Sequence, residues 1–274
     1  YMEIQKLSQL YKQVTGEDPV SVVEMPSSGS NRRYFRLSGV QSLVGAVGTC
    51  VEENRAFISI AQHFAERGLP VPKVVACSDD EMVYLQQDLG DNTLFAAIEK
   101  GRATSVFGED ERQILRQTIR LLPDIQFSGA VGLDFSVCYP LPEFDSRTIL
   151  WDLNYFKYCF LKATGLDYQE DMLENEFERL AYILLQPRMH TFMYRDFQSR
   201  NVMVVSKKNE ETGEEELVPY FIDFQGGRRG PVYYDVASFL WQAKANFHNE
   251  LRIELIQEYL DELKKYVSVD EDEF

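Results

Sequence analysis

The chain is poor in the residues that build covalent or metal-held frameworks. Its four cysteines, Cys50, Cys77, Cys138 and Cys159, are widely spread, with no C-x-x-C among them. That argues against a disulfide scaffold or a thiolate zinc site and points to a reducing compartment, the cytoplasm. The three histidines, His63, His190 and His248, are scattered and read as packing or surface residues. No apolar run approaches the ~20 residues of a membrane span. Positive charge is scarce too: 28 Lys and Arg against 44 Asp and Glu leave −16, which argues against a nucleic-acid partner and against anionic membranes. Phosphate chemistry survives that balance, because metal ions and a few local arginines can neutralise a substrate. Tyr1-Met2-Glu3-Ile4 opens an amphipathic helix, not a secretory leader, and a first residue other than Met reads as a trimmed chain.

Aromatic side chains are plentiful, with 18 Phe and 15 Tyr, and 274 residues can bury a large core. Apolar spacing predicts a helix over 3–14 ending near Gly16. Strands follow at 20–25 and 32–37, joined by the small-residue turn Pro26 to Asn31, the shape of a flap over phosphates. A third strand is expected over 42–50 and a helix over 51–67. On that helix Glu53, Phe57, Ile60 and Phe64 share one face; Glu53 either wants a partner there or favours the first turn through the helix dipole. Two more strands, 73–77 and 82–87, lead through Asp88-Leu89-Gly90-Asp91 into a helix from Thr93 to Lys100. From 109 to 186 the pattern is helical. It includes 110–128, bent or ended by Pro123, an aromatic helix over 148–164, and a helix over 170–185. An aromatic stripe is more often core than a binding platform, yet Trp151, Asp152 and Tyr155 could together hold a polar substrate with a flat apolar face. Helices 233–245 and 249–266 close the folded part.

The chemistry concentrates in Tyr194-Arg195-Asp196-Phe197-Gln198-Ser199-Arg200-Asn201 and Phe221-Ile222-Asp223-Phe224-Gln225. An Asp five positions before an Asn is cheap: with 18 Asp and 9 Asn, chance produces about 0.6 such pairs. Context carries the inference. Asp196–Asn201 is the only such pair in the chain, with an apolar turn before it and a strand, 202–205, after it. A hairpin with an acidic tip then returns Asp223 beside Asn201. Oxygen ligands from Asn201 and Asp223 can bind Mg²⁺ bridging ATP phosphates, and Asp196 can accept the proton of an attacking hydroxyl. Asp235, at the start of an apolar helix, caps it or holds the loop backbone.

These segments, with Arg32-Arg33-Tyr34-Phe35-Arg36 and Gln87-Asp88-Leu89-Gly90-Asp91, resemble the aminoglycoside-phosphotransferase-like kinases. Within them the likeness is greatest to the bacterial cell-wall amino-sugar kinases, which phosphorylate the anomeric hydroxyl of N-acetylmuramate and N-acetylglucosamine. The resemblance implies an α+β, two-lobed protein-kinase-like fold. A five-stranded antiparallel N-lobe sheet with one helix would occupy 1–90 and a mainly helical C-lobe 91–266. It implies ATP and Mg²⁺ as cofactors, Asp196 as base, Asn201 and Asp223 as metal ligands, adenine against Gln87 and Leu89, and Glu53 as the N-lobe helix glutamate. Gln225 after Asp-Phe, where protein kinases usually carry Gly, favours a small-molecule acceptor.

Two departures stand out. The third strand lacks the phosphate-pairing lysine of protein kinases, and Arg32 or Arg36, alternating onto one face with Tyr34, is expected to substitute. Gln198 stands where sugar kinases tend to have His, offering a hydrogen bond without charge. The acidic end, 267–274, resembles a linker to a further domain. The resulting expectation is a kinase of a small sugar. The alternatives are a kinase of aminoglycosides or another small alcohol, and a nucleotide-binding pseudokinase.

Overall fold

The computed structural model describes residues 2–26, 32–186, 191–210 and 212–269. The expected flap at 27–31, His190 and residues 270–274 of the acidic end expected over 267–274 lie outside them; Val267 and Val269 of that end pack against the main core. The chain forms an α+β, protein-kinase-like fold. Helix α1 (Met2–Thr15) precedes strands β1 (Ser21–Glu24), β2 (Arg33–Ser38) and β3 (Leu43–Val47). Helix α2 (Val51–Glu66) and strands β4 (Val74–Cys77) and β5 (Val83–Gln87) complete the N-terminal lobe. The five strands make one antiparallel sheet in the order β1-β2-β3-β5-β4.

Alternation along β2 and β3 gives the sheet two working faces. Phe35, Leu37, Leu43 and Val47 pack under Leu7, Leu10 and Tyr11 of α1. Gly45 lets that helix approach, because a Cβ there would fall 2.4 Å from Leu7 Cδ2. The opposite face turns Tyr34 and Ala46 toward the main core, which includes Phe57, Ile60 and Phe64 of α2. The 51–67 helix therefore buries the face its spacing predicts.

Beyond the sheet come α3 (Leu94–Ala97) and α4 (Glu99–Thr104), where one helix over 93–100 is expected. The break falls at Ile98, whose φ of −105° and ψ of 23° leave the helical region. Helix α5 (Glu109–Pro123) ends at its proline and continues as a π turn over Asp124–Ser128. Helix α6 (Ser146–Phe156) runs through a π turn (Lys157–Leu161) into α7 (Lys162–Thr164), and α8 (Glu170–Leu184) packs back on α6. The C-terminal part holds β6 (Thr191–Met193), the hairpin β7 (Val202–Lys208) and β8 (Glu215–Phe221), and β9 (Arg228–Gly230), which pairs with β6. Helices α9 (Val232–Leu240) and α10 (Asn249–Leu263) follow, both shorter than expected.

The aromatic helix corrects a sequence expectation. Trp151, Tyr155, Phe156 and Phe160 are exposed, and it is Lys157 that is buried. Its ammonium lies between Glu170 at 2.5 Å and Glu174 at 2.6 Å. Periodicity defined the stripe, but α8 arrives on the other side of the helix, and its paired carboxylates make burial of the lysine tolerable. Among the described residues, no helix is long and apolar enough to cross a membrane.

Because α1 is held mainly by three buried side chains, Leu7→Ala should cost about 2–5 kcal/mol. Urea unfolding would read this as a lower midpoint at unchanged slope; a loss under 1 kcal/mol would mean α1 is not part of the cooperative core.

Candidate active site

The loop carrying Asp196 leaves β6 at Tyr194 and immediately turns through a left-handed residue, Arg195, with φ 75°. A side chain bearing a Cβ resists that conformation, so something must hold it. Asp235, wholly buried in the first turn of α9, does so. Its Oδ2 accepts the Tyr194 N–H at 2.8 Å and its Oδ1 the Arg195 N–H at 2.9 Å. Gln126 adds a donor at 3.4 Å, and the Tyr259 hydroxyl donates to Gln126 Oε1 at 2.6 Å. Burial pushes the Asp235 carboxyl up to about 7 against the pull of these donors.

A second set of contacts ties this loop to the strand bearing Asp223. The Tyr194 hydroxyl donates to the Ile222 carbonyl, and the Ile222 N–H donates to the Asn201 carbonyl at 3.0 Å. Asn201 Nδ2 donates to the Asp196 carbonyl at 2.8 Å, which leaves its amide oxygen available. Gln225 Nε2 donates to Asp223 Oδ1 at 2.7 Å and leaves Oδ2 available. Asp223 itself has φ 65°. Phe224, next in the chain, stacks on Phe57 of α2 at 4.9 Å and approaches Phe64 at 5.6 Å, locking the Asp-Phe turn to the N-terminal lobe.

Asp196, Asn201 and Asp223 line one cavity of about 410 Å³ together with Tyr34, Val44, Phe57, Gln87 and Leu89. That volume is in the ordinary range for small-molecule and cofactor sites. The Asp196 side chain opens to this cleft, yet surrounding protein excludes enough water to raise its carboxyl above the ordinary value, with help from Asp223; Arg195, Arg200 and Arg228 pull the other way. Among the described residues there is no cluster of three carboxylates, histidines or cysteines. One carboxylate and one amide oxygen beside a phosphate-sized space is the donor set Mg²⁺ accepts when phosphates and water complete its shell. Asn201 and Asp223 fit that ion.

The other predicted residues are placed as follows. Gln87 and Leu89 are on the cavity wall. Glu53 lies 3.7 Å from the buried Arg32, whose guanidinium also sits over the Phe57 ring at 5.8 Å. Arg36 shares the same face of β2 but lies at its other end, held by Asp88 at 2.8 Å and Asp91 at 2.8 Å. Two carboxylates at the connection after β5 engage Arg36, Glu53 engages Arg32, and neither arginine lines the cavity. Gln198 is half-buried ahead of the 3-10 turn Ser199–Asn201 and does not line the cavity. Asp152 binds Arg195 through two hydrogen bonds, at 2.7 and 3.0 Å, while Trp151 and Tyr155 stand exposed on the same helix. Two residues escaped sequence reading. Arg200 lines the cavity, and its signal was its place one residue before Asn201. Arg228 is buried near Asp196, and a double arginine in a polar stretch looks like surface.

The fold is kinase-like, with Asp196, Asn201 and Asp223 on one cleft between the sheet and the helical part. The chain belongs to the APH phosphotransferase enzyme family, whose profile matches residues 21–270. It is 28% identical over 226 residues to the N-acetylmuramate/N-acetylglucosamine kinase of Pseudomonas aeruginosa, covering 80% of this chain and 59% of that one. The enzyme of the same name from Neisseria meningitidis is 25% identical over 242 residues, covering 85% and 65%. The chain thus spans about three fifths of the length of these curated relatives. Among solved structures, ADP-bound aminoglycoside phosphotransferase APH(2'')-Ib matches with TM-score 0.64 and 15% identity, over 94% of this chain and 85% of that one. A putative aminoglycoside phosphotransferase from Ralstonia eutropha matches with TM-score 0.64 and 12% identity, over 97% and 82%. At such identity these structures speak for the fold alone.

The Asp235 support carries a pH signature. Its folded-state value is raised, so its contribution to stability is complete below the unfolded value near 4 and is lost as pH rises through about 7. Denaturant unfolding of the wild type minus that of Asp235→Asn, from pH 4 to 8, should therefore fall with pH. A flat difference curve would assign the titration to another group. The variant should also lose about 1–3 kcal/mol, because one amide oxygen cannot serve both N–H groups.

Proposed function

We propose that the protein transfers the γ-phosphoryl group of ATP to a hydroxyl of an N-acetylated amino sugar, the anomeric hydroxyl of N-acetylmuramate or N-acetylglucosamine. The observation carrying this reading is the convergence of Asp196, Asn201 and Asp223 on one nucleotide-sized cavity. The names of the curated relatives supply the acceptor. The setting is the cytoplasm, where ATP is available.

Asp196 accepts the proton of the attacking hydroxyl. Burial and the neighbouring Asp223 raise its basicity toward that task, while three arginines pull it back down. The acceptor oxygen forms a bond to the γ-phosphorus as the bond from that phosphorus to the β,γ-bridging oxygen breaks, and ADP leaves with the electron pair. Asn201 and Asp223 would hold Mg²⁺, which would supply charge neutralisation on the phosphates. Arg200, on the cavity wall, adds a fixed positive charge. Gln87 and Leu89 receive the base through the backbone of the inter-lobe segment. Exposed Trp151 and Tyr155 offer flat apolar surface near Asp152 for the sugar.

Arg32 replaces the strand lysine. In kinases a lysine of the third strand pairs with a helix glutamate to orient the α- and β-phosphates. Here Val44 lines the cavity and the next inward-facing residue of β3 is Ala46, with no charge to offer. Arg32, immediately before β2, reaches Glu53 of α2 instead. Arg32→Ala should raise KM for ATP tenfold or more, and Arg36→Ala should change it less than threefold. The opposite ranking would move the phosphate contact to Arg36.

Asp196→Asn should lower kcat by about 10²–10⁴ with thermal unfolding unchanged. The reaction is tested by mass analysis of a panel of sugars, amino sugars, their methyl glycosides and aminoglycosides incubated with ATP and Mg²⁺. Free N-acetylated amino sugars should gain one phosphoryl group and methyl glycosides none; equal labelling of blocked and free sugars would refute the anomeric assignment.

A further inference from the structure

Gln86 is a polar side chain that the fold leaves without a partner on the wall of the cleft. Along β5, Val83 and Leu85 pack under α1, so Tyr84 and Gln86 alternate onto the opposite face. Within the sheet Gln86 stands between Val44 of β3 and Val74 of β4, and its neighbours across both ladders are apolar. It is 9% exposed and lines the cavity of about 410 Å³. Neither end of its amide makes a hydrogen bond among the described residues. Oε1 is sealed from water, which leaves Nε2 as the end that meets the cavity. A buried amide is costly to leave unpaired, and a ligand that completes it recovers that cost.

The surroundings narrow the ligand. Gln86 opens the run Gln86 to Gly90 that forms one wall, the run expected to receive the base, and Val44, Met203 and Ile222 line the same space. Apolar walls with one polar group set among them suit a flat heterocycle held by its edge. The other polar side chains of that run are otherwise disposed. Gln87 alternates to the far face of the sheet, and Asp88 is engaged by Arg36 at 2.8 Å and by Ser42 at 2.5 Å. An amide also has a property that hydroxyls and charged groups lack: a half turn about its last bond exchanges an acceptor for a donor. The purines differ at the matching place, since adenine carries an N6 amino donor and guanine an O6 acceptor.

We infer that Gln86 reads the 6-position of the purine and that the cleft takes guanine nucleotides as well as adenine nucleotides. Oε1 turns toward an amino group and Nε2 toward an oxo group, so neither base leaves the amide unpaired. This inference rests on reading the cavity as a nucleotide site and extends that reading to the phosphoryl donor. With GTP the acceptor oxygen bonds the γ-phosphorus and its proton passes to Asp196. The bond from that phosphorus to the β,γ-bridging oxygen breaks, and GDP leaves with the electron pair. A side chain that only donates or only accepts would choose one purine, because the other would face it with a like group.

The test measures calorimetric binding of ADP, GDP and IDP with Mg²⁺ at pH 8 to the wild type and to Gln86→Glu, Gln86→Lys and Gln86→Met. IDP carries the 6-oxo group without the 2-amino group of guanine, so it isolates the 6-position. In the wild type the tighter of GDP and IDP should bind within about tenfold of ADP, the worth of one hydrogen bond. Gln86→Glu, an acceptor, should shift the ADP-to-IDP preference about tenfold toward ADP, and Gln86→Lys, a donor, should shift it toward IDP. Gln86→Met serves should the charged variants fail to fold, and it should weaken ADP and IDP alike. A purely structural role moves both nucleotides together in every variant. A wider gap in the wild type, shifts of the same sign in Gln86→Glu and Gln86→Lys, or unchanged binding in Gln86→Met would each overturn the inference. The same proteins are then given ATP or GTP with N-acetylglucosamine and N-acetylmuramate. Opposite binding shifts with no sugar phosphorylated would remove the sugar-kinase reading and leave the inference standing. Phosphorylation from ATP with no binding of GDP or IDP would do the reverse, and failure to bind any of the three nucleotides would remove both.

Discussion

One buried carboxylate accepts two consecutive backbone N–H groups, and the geometry of the whole site follows from it. Asp235 fixes Tyr194 and Arg195 in a turn that the chain would not adopt unaided. From that turn Asp196 projects into the cleft, and the Tyr194 hydroxyl reaches across to the strand that carries Asp223. The proposed base and metal ligands are therefore not three independent placements. They are one rigid unit anchored to α9 and, through Gln126 and Tyr259, to α10. Rigid placement suits phosphoryl transfer, whose catalysis is mostly positioning and charge neutralisation.

Charge is distributed against the average of the molecule. The chain carries −16 overall, yet Arg195, Arg200 and Arg228 all act on Asp196. Within the N-terminal lobe Arg32 takes up Glu53 where a third-strand lysine would stand in a protein kinase. A guanidinium is longer and forked, so its backbone can start from the neighbouring strand and still reach the same helix. Net charge in this protein describes its solvated surface and says little about the cleft.

Much of the architecture was legible because strands and helices announce themselves by period. The order of five strands with one helix after the third, the buried face of α2, and the pairing of Asn201 with Asp223 by a hairpin all follow from local pattern. Three features did not, each for a physical reason. Trp151, Tyr155 and Phe160 form a stripe whose periodicity is real, but period does not say which side a neighbouring helix will cover, and α8 covers the side of Lys157. Arg32 and Arg36 are equivalent by alternation; only the distant Asp88 and Asp91 distinguish them. Arg228 looked like surface because nothing in its neighbours along the chain reveals that β9 pairs with β6 beside Asp196.

Helix α2 carries Glu53 and Phe57 one turn apart. Glu53 meets Arg32, and Phe57 stacks on the phenylalanine that follows Asp223. A rigid helix cannot withdraw one without withdrawing the other. Any rotation of α2 thus draws Glu53 away from Arg32 and loosens the turn at Asp223 in a single step. The two halves of the candidate site are mechanically in series, and the cleft is assembled as a whole or not at all.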